Sequence, residues 1–193
     1  MKNVTINLRW LYLDFNSYFA TIEQQVHPNL RNRPIAIVIN VPQATDRLQH
    51  MDKLFTHFGI NYIIENAKAE DHLSEDVLAR YGSPPDTTTQ RAIACTQSHV
   101  SAWRTFLSTD NDECMVVEDD ILLCRNFDTI WNNLDIPDDS FAIWKIETIN
   151  ATCTIQRKCE RQYNGFSFHQ LYSGHAGCAA YIINRKTAKF LLS

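Results

Sequence analysis

The sequence predicts an α/β chain built on a mainly parallel sheet with helices on both faces. Two observations carry that prediction. Ile35-Ala36-Ile37-Val38-Ile39 is an unbroken apolar run rich in β-branched residues, as a strand buried on both faces requires. Between runs of this kind lie segments whose apolar residues recur at helical spacing. Strand and helix therefore alternate, the pattern of a sheet covered by crossover helices.

Taken in order, Leu8 to Phe15 is apolar and aromatic over a strand's length, and Phe19, Ile22 and Val26 give Ser17 to Val26 a helical stripe. His27-Pro28-Asn29 stops that helix and Pro34 leads into the Ile35 run, which completes a β-α-β unit. Gln43 to Phe58 places Leu48, Met51, Phe55 and Phe58 on one helical face and meets Gly59 where a cap belongs. Tyr62-Ile63-Ile64 reads as a short strand, Ser74 to Arg80 as a short helix, and Gly82 to Thr89 as a surface loop. Gln90 to Leu107 carries the strongest helical periodicity, with Cys95, His99, Ala102 and Phe106 on one face. Cys114 to Val117 is a buried strand, Phe127 to Leu134 a short helix, Phe141 to Ile146 a strand, and Ala179 to Ile183 a last strand before an Arg185 to Leu192 helix.

Composition narrows the function. The chain has 193 residues, 45% hydrophobic and 21% charged, with a net charge of −4. That balance argues against a dedicated nucleic-acid binder, which needs a basic face to replace counterions around phosphates. No run approaches the roughly 18 apolar residues of a membrane span, and Arg9 and Asp14 interrupt the start before any signal-like core. The chain reads as cytoplasmic. Its six cysteines show no C-x-x-C spacing, so they read as reduced, mostly buried small residues and not as a zinc knuckle.

The sharpest chemical feature is Val116-Val117-Glu118-Asp119-Asp120-Ile121, three successive acids at the carboxyl end of a buried strand, where open α/β sheets bind ligands. Adjacent carboxylates repel, so the fold must either supply a cation or expose them. Alternate residues of an extended chain point the same way, so Glu118 and Asp120 could share Mg²⁺ or Mn²⁺ while Asp119 faces the other side. Such an ion would accept nucleotide phosphates. A solvated acidic turn accounts for the triplet alone equally well.

Four ordered segments add context. They are Val38-Ile39-Asn40-Val41-Pro42-Gln43-Ala44-Thr45-Asp46-Arg47, the Cys95-x-x-Ser98-His99 helix running to Trp103, Val117-Glu118-Asp119-Asp120-Ile121, and Gly177-Cys178-Ala179-Ala180-Tyr181-Ile182-Ile183-Asn184-Arg185. Together they resemble glycosyltransferase family 25, the group that includes lipopolysaccharide galactosyltransferases. The resemblance implies a GT-A fold over residues 35–193 and a nucleotide-diphospho-sugar donor such as UDP-galactose. It also implies Mn²⁺ or Mg²⁺, inversion at the anomeric carbon, and a glycan acceptor such as lipopolysaccharide. That acceptor would bring the chain to the inner face of the membrane as a peripheral protein.

On this resemblance Glu118, Asp120 and His175 would hold the metal, and Asn40, Thr45, Arg47 and Asp119 would meet the nucleotide or its diphosphate. Asp120, Glu147 and His99 would stand at catalytic positions. Each has a plainer reading: Thr45 as a helix cap, Arg47 as a surface cation, His99 as a satisfied core histidine, His175 as a loop residue without a ligand, Glu147 as a salt-bridged surface acid. Trp103 and Trp144 read as core aromatics. The family's Gly-rich approach to the Cys-x-x-Ser-His helix is replaced here by Thr89-Gln90-Arg91-Ala92-Ile93, and its members continue past the last helix into an acceptor-side segment. Transfer is therefore expected to be impaired more than donor binding, and a non-catalytic remnant is the alternative.

The first 34 residues differ in character. Leu11-Tyr12-Leu13-Asp14-Phe15-Asn16-Ser17-Tyr18-Phe19, followed by Pro28 to Val38, resembles the opening of a Y-family DNA polymerase, with Asp14 as a metal acid and Phe19 as the residue that excludes ribonucleotides. The partner Ser-x-Asp-Glu motif is absent, and one carboxylate cannot position two metals for phosphoryl transfer. Residues 1–34 are thus expected to be a β-α fragment that extends the sheet of a 35–193 domain without polymerase activity.

Overall fold

The computed structural model describes residues 34–80, 86–132, 141–147, 152–163, 166–174 and 177–193. Residues 1–33, which hold most of the polymerase-like segment including Asp14 and Phe19, lie outside the described residues. The order is β1 (Ile35–Asn40), α1 (Thr45–Phe58), β2 (Tyr62–Asn66), a 3₁₀ turn (Glu70–His72), α2 (Glu75–Ala79), α3 (Thr87–Leu107), β3 (Glu113–Glu118), α4 (Phe127–Trp131), β4 (Ile143–Lys145), β5 (Ile155–Tyr163), β6 (Phe166–Leu171), β7 (Ala180–Asn184) and α5 (Arg185–Leu192).

The central sheet has the strand order β2-β1-β3-β7-β4. β1 pairs parallel with β2 and β3, whereas β7 runs antiparallel between β3 and β4. Four of the five strands run the same way, as the mainly parallel expectation requires, and the reversed β7 makes the sheet mixed. The cause is local. The chain reaches β7 from the edge at which β1 and β3 end, since Ala180 pairs with Val117, so β7 must run back across the sheet.

Strand periodicity divides the core in two. Ala36, Val38, Met115, Val117, Ala180 and Ile182 face α1 and α4, while Ile35, Ile37, Ile39, Val116, Tyr181 and Ile183 face α3 and α5. Helices therefore cover both faces, as expected. Phe55 of α1 and Phe106 of α3 are fully buried, one on each side. Gly59 ends α1 at φ 63°, a left-handed cap that a residue with a Cβ resists. Arg185 closes α3 by donating to the carbonyls of Leu107, Thr109 and Asn111 at 2.6–3.1 Å, and Asn184 caps α5 by accepting from the Thr187 amide at 2.9 Å.

Several sequence expectations need correction. α3 begins at Thr87 because the Asp86 carboxylate caps it, accepting from the Thr89 amide at 2.7 Å; Thr87 to Thr89 are helix and not loop. α4 ends at Trp131. β4 spans only Ile143–Lys145, because Phe141 packs on Phe190 and the Ala142 amide donates to Thr187 Oγ1 at 3.0 Å, which turns this stretch toward α5. The β5–β6 hairpin forms a second sheet that the sequence reading lacked. β5 is too polar to register as an apolar run, yet Asn164-Gly165, a two-residue hairpin signature, lies between the strands. The hairpin lays Phe168 on Trp144 at 4.7 Å between ring centres, so Trp144 packs half-buried against the margin of the core. All six cysteines are free, but Cys114 alone is buried, against the expectation that most would be.

Phe106→Ala is expected to destabilise the fold by about 3–5 kcal/mol in a chemical-denaturation midpoint measurement, as large-to-small core changes do. Leu122→Ala, at a position 82% exposed, should stay within about 0.5 kcal/mol.

Candidate functional site

The topology gathers the candidate residues at one edge. β1 and β3 run parallel and end there in Asn40 and Glu118. β4 runs the same way as β3, so Glu147 follows at that edge too, and the antiparallel β7 must be entered from it through Gly177 to Ala179. Among the described residues an open cleft at this edge is lined by Cys95, Glu118, Asp120, Glu147, Gly177 and Cys178.

Asp119 is the buried member of the acidic triplet. One oxygen accepts from Asn40 Nδ2 at 2.7 Å and from the Val41 amide at 3.1 Å; the other meets Arg47 of α1 at 2.9 Å. A buried carboxylate needs such partners, because desolvation without compensation costs several kcal/mol. Here they come from the end of β1 and the start of α1. Asp120 stands beyond it, its side chain 59% exposed and 4.0 Å from the same guanidinium. His50 of α1 lies 3.1 Å from the Ile121 carbonyl and holds the chain just after Asp120. Ala44 is the N-cap of α1 and provides no capping side chain; Thr45 is exposed within the first turn and does not cap.

Glu118 turns the other way, toward α3. Its Oε1 lies 3.5 Å from His99 Nε2 and accepts from the thiols of Cys95 and Cys178, each at 3.7 Å. His99 is buried, with Nδ1 3.0 Å from the Tyr181 hydroxyl, which also accepts from Trp103 Nε1 at 2.8 Å. Burial opposes charge on the ring, but the hydrogen bonds and charge of Cys178 and Glu118 outweigh it and raise His99 from 6.5 to about 9. The His99 hydrogen bond in turn holds Glu118 below the usual carboxylate range. The bond between the two thiols lowers Cys95 and raises Cys178. Ser98, the serine of the Cys-x-x-Ser-His motif, accepts from the Lys68 amide and donates to the Ala94 carbonyl, both at 2.8 Å, and so ties α3 to the exit of β2.

Glu147 anchors the approach to β7. Its side chain is only 7% exposed, accepts from the Ala179 amide at 2.8 Å and pairs with Lys145, which also donates to the Gly177 carbonyl. Gly177 has φ 93°, and a Cβ there would sit 3.1 Å from a Glu147 oxygen. Both the backbone and the close approach require glycine.

The structure thus groups Asn40, Arg47, Asp119 and Asp120 on the α1 side, and Glu118 with His99 on the α3 side. Glu147 sits in its own cluster, and His175 lies outside the described residues. Sequence reasoning missed Cys95, Cys178 and Lys145. The Cys95-x-x-x-His99 spacing, which puts both on one helical face, was a usable signal; Cys178 joins them only through the β3–β7 pairing.

A family model described as glycosyltransferase family 25 (LPS biosynthesis protein) matches residues 34–193. The chain is 27% identical over 165 residues to the lacto-N-neotetraose biosynthesis glycosyltransferase LgtE of Neisseria gonorrhoeae, covering 80% of this chain and 58% of the relative. It is 28% identical over 166 residues to LgtB of the same organism, with the same coverage, and 27% identical over 165 residues to LgtB of Neisseria meningitidis serogroup B, covering 80% and 59%. The chain therefore spans less than two thirds of the length of these relatives. The polymerase-like resemblance of the N-terminal stretch gains no support from these comparisons.

Asp119→Ala leaves Asn40 Nδ2 and the Val41 amide without their acceptor, and is expected to cost about 1–3 kcal/mol in denaturant unfolding. In chelator-treated protein, the His99 ring should titrate near 9 by NMR. Because its folded value lies above its ordinary one, this contribution to stability is complete below pH about 6.5 and is lost as pH rises toward 9. His99→Gln should remove that slope from the unfolding profile.

Proposed function

The chain belongs to glycosyltransferase family 25, and from that premise we propose that residues 34–193 bind a nucleotide-diphospho-sugar and a divalent metal for transfer of a hexose to a glycan. The donor in this reading is UDP-galactose, the acceptor a lipopolysaccharide-type glycan at the inner face of the membrane, and the outcome inversion at the anomeric carbon on a GT-A-like scaffold.

One observation carries the reading. Asn40, Arg47 and Asp120 converge where the parallel strands end, around the buried Asp119 carboxylate, which is where α/β sheets bind nucleotides. Asp120 fits a hard divalent ion: it is an exposed oxygen donor beside a cleft, and Mg²⁺-type ions use one or two carboxylates plus substrate phosphates. When bound, Mn²⁺ or Mg²⁺ would neutralise charge developing on the departing diphosphate. Arg47, half-exposed between two carboxylates, can fork onto diphosphate oxygens. The uncapped first turn of α1 offers amide donors on the same side. Glu147, held by Lys145 and the Ala179 amide, positions the strap before β7. The names of the relatives, all transferases of lacto-N-neotetraose biosynthesis, support a glycan acceptor.

Calorimetric titration with UDP-galactose should show binding that depends on Mn²⁺ and weakens at least about tenfold, or about 1.4 kcal/mol, in Asp120→Asn. Binding indifferent to both metal and Asp120 would overturn the assignment. Binding with neither sugar release to water nor transfer to any added glycan would favour the non-catalytic remnant.

A further inference from the structure

We propose that Cys95, His99, Glu118 and Cys178 form a zinc site that pins α3, β3 and the strap before β7 together. The four residues come from three parts of the chain, and their ligating atoms all lie within 4.8 Å of one another. Zinc in a tetrahedral site sits about 2.0–2.3 Å from its ligands, which sets those ligands about 3.3–3.8 Å apart. The three edges that meet at Glu118 Oε1 measure 3.5 Å to His99 Nε2, 3.7 Å to Cys95 Sγ and 3.7 Å to Cys178 Sγ. These three edges have the length a tetrahedral ion sets, and the other three lie within 4.8 Å.

A second observation points the same way. His99 Nε2 is buried, its side chain only 5% exposed, and its contact with Glu118 Oε1, at 3.5 Å, is too long to satisfy the nitrogen well. A buried ring nitrogen is costly to leave poorly partnered, and this one is aimed into the group of sulfurs and the carboxylate. The opposite nitrogen is fixed by the Tyr181 hydroxyl, itself fixed by Trp103. Metal-binding histidines are oriented through their other nitrogen in this manner.

Donor chemistry selects the metal. Two sulfurs and an imidazole suit zinc, whereas Mn²⁺ and Mg²⁺ prefer oxygen. Zinc takes the sulfurs as thiolates and the imidazole neutral, with the displaced protons passing to solvent. Cys95 is exposed, and Glu118 and Cys178 line the cleft, so an ion can enter from that side. The site requires no nucleotide and stands apart from the transferase reading.

The test uses the full chain, reduced, stripped with a chelator and dialysed against Zn²⁺ alone, with metal counted per chain by mass spectrometry. The expected result is a single retained zinc ion, whose affinity falls at least about 100-fold in Cys95→Ser and in Cys178→Ser, beyond what losing a supporting contact produces. Cobalt loading of the unmodified chain should give thiolate-to-metal charge-transfer absorption and the intense visible bands of a tetrahedral ion. This spectrum needs no variant and so does not depend on how the variants fold. Failure of the reduced chain to retain zinc, retention undiminished in both serine variants, or a cobalt spectrum without thiolate bands would each overturn the site. So would a Cys95–Cys178 disulfide whose reduction restores no zinc uptake.

Discussion

The carboxylate of Asp119 is the constraint on which the site depends. A charge buried at the end of a central strand is tolerable only if the surrounding chain is built to meet it. Asn40, the Val41 amide and Arg47 meet it here, which fixes the end of β1, the turn after it and the first turns of α1 relative to β3. With Asp119 held inward, its neighbours must diverge. Glu118 ends the strand on the α3 face beside His99, and Asp120 follows on the side of Arg47. One buried residue thus converts three like charges in a row into two separate chemical environments.

That division bears on how metals can act here. An exposed carboxylate beside an arginine suits a hard ion that arrives with phosphates, whereas a carboxylate among two thiols and a buried imidazole suits a soft one. The proposed zinc would act on the rigidity of the cleft wall, because its ligands join α3 to the strap that Lys145 and Glu147 already clamp from the other side. The end of the late motif is structural in the same sense. Arg185 closes α3 and Asn184 caps α5, so residues that look like site candidates in a motif work here as the joints that hold helices to strands.

Much of this was legible in the sequence. The Ile35 run, the Phe55 and Phe106 stripes and the Gly59 cap are local signals, and α1, α3, β1 and β3 follow from them with small errors at their ends. The antiparallel insertion of β7 was not legible, because strand direction depends on which edge the chain reaches after the hairpin. β5 was missed because Gln156 to Gln162 carry charge and amide where a strand criterion looks for apolar residues. For the site, the edge could be foreseen from the acids at the end of β3, but the partition of Glu118 from Asp120 could not. Alternation along an extended chain would have put them on one side, and the turn that begins at Asp119 breaks that alternation. Likewise Cys178 reads as a small apolar residue until the β3–β7 register brings it to Cys95.

Anomalous diffraction from crystals of the full chain grown with UDP, Mn²⁺ and Zn²⁺, recorded at both metal absorption edges, tests the division by Asp119 most directly. The expected result is manganese at Asp120 on the Arg47 side and zinc enclosed by Cys95, His99, Glu118 and Cys178. A single metal position bridging Glu118 and Asp120, with Asp119 turned outward, would contradict it.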